Sequence, residues 1–187
     1  MEKNIPGADI TYTAEVAIAE GLGFVKGSSA GAVALPAADG ERPKGFAVYG
    51  VAAAEAITAR KMGKAKIVNS GAFAEDDELI LEAATGKLKK YVPNYGGGIV
   101  YIAAIADEAA AADDVEGYAW LTCYARNDTI YHAAAADPGV NNDGVDTATL
   151  GATFQVGALW LNETDGGLFR CSDNSTGAAV WAEVTIA

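Results

Sequence analysis

Residues 64–92, KAKIVNSGAFAEDDELILEAATGKLKKYV, decide the fold: they read as strand, loop, strand, tight turn and strand, with no helix. Ile67-Val68 is a short β-branched run, and Leu79-Ile80-Leu81 is a second apolar one. Thr85-Gly86-Lys87 supplies the turn, Gly86 being free to take positive φ, and residues 88–92 lead back along the sheet. The acidic run Glu75-Asp76-Asp77-Glu78 before the second strand reads as a solvated connection. The expected class is mainly β: a compact barrel- or sandwich-like domain followed by a small C-terminal β module.

The same period runs outward in both directions. Residues 10–18 alternate, with Ile10, Tyr12, Ala14, Val16 and Ile18 on one face of a strand. Residues 22–25 and 32–35 flank a glycine turn at 27–31 as a hairpin, and 46–51 (FAVYGV) is a strand with Gly50 as a bulge or close-approach point. Residues 56–60 read as a strand, with a short helix as the alternative because Ala, Glu and Arg favour helices. Residues 99–106 are a core strand with 118–124 as its neighbour; 107–114 between them is one helical turn or a loop. A glycine falls six residues after a strand hydrophobe at Val25/Gly31, Ile80/Gly86 and Leu161/Gly167, which suggests repeated β-ribbons. The expected division is an arm at 1–9, a β domain at 10–132, a linker at 133–152 and a small module at 153–187, whose core is Trp160, Phe169 and Trp181.

The formal charge is −12, built from 17 acids against 11 bases up to residue 121 and 8 against 2 beyond it. That balance argues against nucleic acid and anionic membrane as partners, since phosphate binding draws on Lys and Arg. Seven of the 13 bases fall in residues 60–90. They form a basic face if the flanking strands pair, or a solvated edge guarded by lysine. Cys123 and Cys171 make no disulfide framework and read as free buried thiols. The opening MEKNIPGADI has no apolar h-region, and no 18-residue apolar run follows, so neither a signal peptide nor a membrane helix is expected.

Chemistry is hard to place. Tyr95-Gly96-Gly97-Gly98-Ile99 lacks the Lys-Ser/Thr and helix of a phosphate loop. His132 is the single histidine and no Cys-x-x-Cys occurs, so zinc is not expected. Residues 141–146 (NNDGVD) faintly resemble a calcium loop but lack the downstream Glu. The pairs Asp76-Asp77 and Asp113-Asp114 are adjacent, so on a strand they point to opposite faces and make no acid/base dyad. The expectation is no catalytic residue, no metal, no cofactor and no enzyme.

Two stretches resemble known families. Phe24-Val25-Lys26, then Phe46 through Val51, then Gly71 through Leu79 (GAFAEDDEL) resemble, in this order, the small β capsid decoration (cement) proteins of tailed bacteriophages. Val156-Gly157 before Leu159-Trp160, then Phe169-Arg170-Cys171, then Gly177 through Trp181 resemble a module of phage fibres and other virion surface proteins. The resemblance implies a homotrimer made in the bacterial host cytoplasm and placed on the outer capsid surface, where it binds the major capsid protein and stabilises the shell. Lys64, Lys66, Lys87, Lys89 and Lys90 are the candidate docking contacts. The alternative is a tail-fibre or baseplate module that binds a receptor or host-surface glycan.

Overall fold

The computed structural model describes residues 9–95, 97–127 and 132–185; all but Asp9 of the arm read at 1–9 lies outside them. Every regular element among the described residues is a strand, so the mainly β expectation holds. Contacts divide the chain into two compact units, Met1–Tyr91 with Val100–Ala125, and Val92–Ile99 with Arg126–Ala187.

The first unit opens with a closed barrel. Its strands are β1 (Asp9–Ala14), β2 (Gly23–Lys26), β3 (Ala32–Ala34), β4 (Gly45–Ala47) and β5 (Ala56–Arg60), in the order β1-β3-β2-β4-β5. β1 runs parallel to β3 and antiparallel to β5, from Asp9↔Arg60 to Thr13↔Ala56. A five-stranded barrel is narrow, and Ala14, Ala47 and Ala59 leave room inside it for Phe24, Ile57 and Val33. β5 settles the helix-or-strand choice by alternation: Ile57 and Ala59 are buried while Ala56, Thr58 and Arg60 are not. Two expected strands are shorter than read. β1 ends at Ala14, whose N–H already reaches Glu55 O while that of Glu15 turns to Val33 O; this leaves Val16 outside and Ile10 on an open face. β4 ends at Ala47, although Val48 N still donates to Thr58 O at 3.1 Å, and Val51 bridges Ile18 instead.

The second sheet of this unit is built from β6 (Gly63–Val68), β7 (Glu78–Leu81) and β8 (Leu88–Lys90), with β10 (Ile99–Ala106) and β11 (Glu116–Asn127) following a short β9 (Asn94–Tyr95). Its order is β6-β11-β10-β7-β8, and its two ends meet at the bridge Asn69↔Leu88, where Ser70 N donates to Leu88 O at 2.7 Å. Ile67, Leu79, Leu81, Leu88, Ala103 and Leu121 fill it, and Phe46 and Val25 join the same core from the barrel. Gly86 holds the turn between β7 and β8 at φ +71°. Gly23 N donates to Gly86 O at 2.7 Å, and a Cβ on Gly86 would stand 2.3 Å from Gly23 O. Glycine is therefore needed here for space as well as for φ. The acidic run is not merely solvated, because Asp77 accepts from Ala74 N at 2.7 Å and pairs with Lys90.

In the second unit β12 (His132–Ala134), β14 (Leu159–Asn162), β15 (Leu168–Asp173) and β16 (Val180–Glu183) form a sheet in that order. β13 (Thr153–Phe154) lies parallel to β9. The stretch read as a linker, 133–152, is folded into this unit: β12 pairs parallel with β14, and Asn142 and Asp143 are buried. Residues 92–99 belong to it as well. Parallel pairings join segments that are distant in the chain and leave no local turn signal, so the boundary escapes a reading of local pattern.

Candidate interaction surface

The five candidate docking lysines do not form an unpaired basic face. Lys64 pairs with Asp107, and Lys66 sits between Glu20 at 3.2 Å and Glu116 at 2.9 Å. Lys87 holds Asp113 at 3.1 Å and Asp114 at 2.6 Å, Lys89 holds Asp39, and Lys90 holds Asp77 at 2.9 Å. Lys64 and Lys66 lie on β6, and Lys89 and Lys90 on β8, at opposite ends of the sheet order. The hydrogen bond to Asp107 raises the pKa of Lys64, and Asp114 and then Asp113 raise that of Lys87. Exposed pairs of this kind contribute little stability each. Their effect is to leave the −12 body with its charge locally cancelled along this band.

Between the lysines lies a surface that the sequence reading did not single out. β11 is twelve residues long and two-faced: Ala119 and Leu121 point into the core, while Tyr118, Trp120 and Tyr124 point out, at 42%, 52% and 40% exposure. Trp120 and Tyr124 are held by their polar ends, and Tyr118 is held by a cation over its ring. Trp120 Nε1 donates to Asp107 Oδ1 at 2.6 Å, Tyr124 O–H donates to Glu78, and Lys64 Nζ lies 5.1 Å over the Tyr118 ring. Asp107 thus serves Lys64 and Trp120 together, and those two bonds, Lys64's first, hold its pKa below the usual carboxylate range. Three aromatic faces are fixed in place with little left to order on contact, which lowers the entropic cost of binding. The signal available was the period-two spacing of Tyr118, Trp120, Thr122 and Tyr124. Cys123, expected to be buried, is exposed; it lies beyond Leu121, where the described pairing with β6 ends. Cys171 is free and buried.

In the second unit Trp160, Phe169 and Trp181 come together around Phe154 and Cys171. Trp160 lies 5.5 Å from Phe154 and 5.8 Å from Trp181 between ring centres, and His132 packs 4.4 Å from Trp160. Burial holds the His132 pKa below its ordinary value. Both indole N–H groups are satisfied, Trp160 by Ala136 O at 2.8 Å and Trp181 by Asn142 O at 3.1 Å.

The faint calcium loop has another use. Asp143 is fully buried and accepts from Val145 N at 3.0 Å, Thr147 N at 3.1 Å and Gly177 N at 2.6 Å. Among the described residues no group of three His, Cys, Asp or Glu side chains is arranged to hold a metal. The Gly177 N–H and the Thr147 side chain lower the Asp143 pKa far more than burial raises it. A carboxylate whose folded pKa is depressed stabilises the fold above its unfolded value and loses that contribution as pH falls toward the folded one. Tryptophan fluorescence of the second unit is therefore expected to stay constant down to about pH 4, near the unfolded value of an Asp, and to change below it. Asp143→Asn, which turns one acceptor into a donor facing Gly177 N–H, is expected to flatten that acid limb. It should also lower the melting temperature at neutral pH by about 5 °C or more.

Small surface concavities occur among the described residues. One of about 300 Å³ is lined by Glu20, Phe46, Arg60, Lys66 and Tyr118, its carboxylate engaged by Lys66. Another of about 240 Å³ is lined by Arg42, Lys44, Phe46, Lys61, Thr122 and Cys123. No helix long and apolar enough to cross a membrane occurs among the described residues.

No protein-family model matches the chain, and no curated protein matches it. Among solved structures it is similar to the head fiber gp8.5 N base of bacteriophage phi29, with 12% identity and a TM-score of 0.48 over 61% of this chain and 92% of that one. A likeness of that size does not by itself carry function.

Proposed function

We propose that this chain is a structural component of a tailed-phage virion that binds the outer surface of the capsid and bridges its major capsid protein subunits. The observation that carries this reading is the fixed aromatic stripe of Tyr118, Trp120 and Tyr124 on β11, set among lysines that are already paired. Aromatic side chains are enriched where proteins meet and supply most of the affinity when a partner excludes water from them. The ordered resemblance of residues 24–26, 46–51 and 71–79 to capsid decoration proteins supports the same reading.

Docking of the first unit works through side chains rather than strand addition. The barrel is closed and the second sheet meets itself at Asn69↔Leu88, so few backbone edges remain for a partner strand. The protein acts as a homotrimer, in which each modest contact is used three times. Its role is adhesion without turnover.

The test is co-sedimentation of the purified protein with shells that lack it. Wild-type protein is expected to bind, and the Tyr118→Ala/Trp120→Ala double variant to bind at least about 30-fold more weakly, the loss expected of a hot-spot pair. Melting curves control for folding of the variant. A variant that binds like wild type, or a wild type that stays in the supernatant, contradicts the proposal.

A further inference from the structure

Cations without a carboxylate partner lie outside the lysines of residues 64–90. Among the described residues, each of those lysines is paired with a carboxylate of its own chain, whereas Arg42, Lys44 and Lys61 make no ion pair. These three line one groove of about 240 Å³, with Phe46 in its wall, Thr122 offering a hydroxyl, and no carboxylate among the lining residues. Arg42 is steadied over the Tyr101 ring at 5.8 Å, and Lys61 over the Tyr12 ring at 5.2 Å. Glu41, the nearest acid in sequence, is turned back to accept from Ala38 N at 3.0 Å. In a chain of net charge −12, three cations gathered without counter-charge are what needs explaining. Holding like charges together is unfavourable unless something of opposite sign visits them.

We infer that this groove seats a short carboxylate-bearing peptide segment of a partner protein, with Arg42, Lys44 and Lys61 receiving its acidic side chains. A long polyanion such as nucleic acid fits less well, because the acids that dominate the rest of the surface repel it along its length, while a short acidic segment places its charge in the groove alone. Thr122 offers a hydrogen-bonding group suited to a peptide. The inference depends on the groove's charge and lining and stands whether or not the partner is a capsid.

Cys123 makes the test direct, since it lies in the groove and is exposed while Cys171 is buried. The full-length protein is titrated with hexaglutamate at low salt, and the rate of Cys123 alkylation by iodoacetamide, an uncharged reagent, is followed. The peptide is expected to slow alkylation several-fold. Its half-maximal concentration should rise by about tenfold in Lys44→Gln/Lys61→Gln, the loss expected of two exposed ion pairs. Protection should vanish in about 1 M salt, where the screening length falls to about 3 Å. Lys89→Gln, which removes a lysine already paired with Asp39, should protect like wild type. Melting curves control for folding of all variants. No protection by hexaglutamate, protection unchanged in the double variant, or stronger protection by a thymidine oligonucleotide of equal charge overturns the inference.

Discussion

Gly86→Ala is expected to lower the melting temperature by about 10 °C, through two costs that a second variant separates. An L-residue held at φ +71° costs about 1–2 kcal/mol, and forcing a methyl against packed backbone adds about 1–3 kcal/mol. The added Cβ would stand 2.3 Å from Gly23 O, a backbone atom that cannot rotate away, and Gly23 N donates to Gly86 O. The turn thus ties the β7–β8 hairpin to the start of β2 in the barrel. Gly71 supplies the control, having φ +82° with nothing within 4 Å of its Cβ position. Gly71→Ala should show the conformational cost alone, a few degrees in a chain of this size. Equal losses in the two variants would show that the close approach at Gly86 contributes nothing.

Trp160→Ala is the second large loss. The side chain is 3% exposed and contacts Phe154, Trp181 and His132 on three sides, and its N–H is bonded to Ala136 O. Truncating a buried tryptophan costs about 3–5 kcal/mol, most of what a small β unit has to spare. Circular dichroism should show early melting, and the emission of Trp181 should shift to the red as water enters the cluster. Trp120→Ala removes an equal side chain from an exposed position and should leave the melting temperature nearly unchanged. If the two variants melt alike, the aromatic cluster is not what holds the second unit.

The local part of this fold was readable. Alternation at Ile57 and Ala59 distinguishes a strand from a helix in an alanine-rich run, and Gly86 sits where a tight turn needs it. The spacing of hairpin glycines predicts Gly31 and Gly86, both at positive φ. In the third hairpin the residue at positive φ is Gly166 and not Gly167, because Asn162 N closes on Gly167 O while Gly166 N returns to Asn162 O. What stayed hidden is long-range. The parallel pairs β1/β3, β9/β13 and β12/β14 join segments with no turn between them, so residues 133–152 looked like a linker. The ion partners of the lysines lie far along the chain, as with Lys64 and Asp107, and composition cannot show that a basic band has been neutralised. The aromatic stripe was present as spacing, but which face of β11 meets water depends on what packs against Ala119 and Leu121.

Copy number is the most direct test of the claim that this protein binds the capsid shell. Quantitative mass spectrometry of purified particles, with the major capsid protein as the internal standard, should find it in fixed proportion to the shell subunits, on the scale of one copy or one trimer per capsid surface site. A handful of copies per particle, or none, would contradict the account.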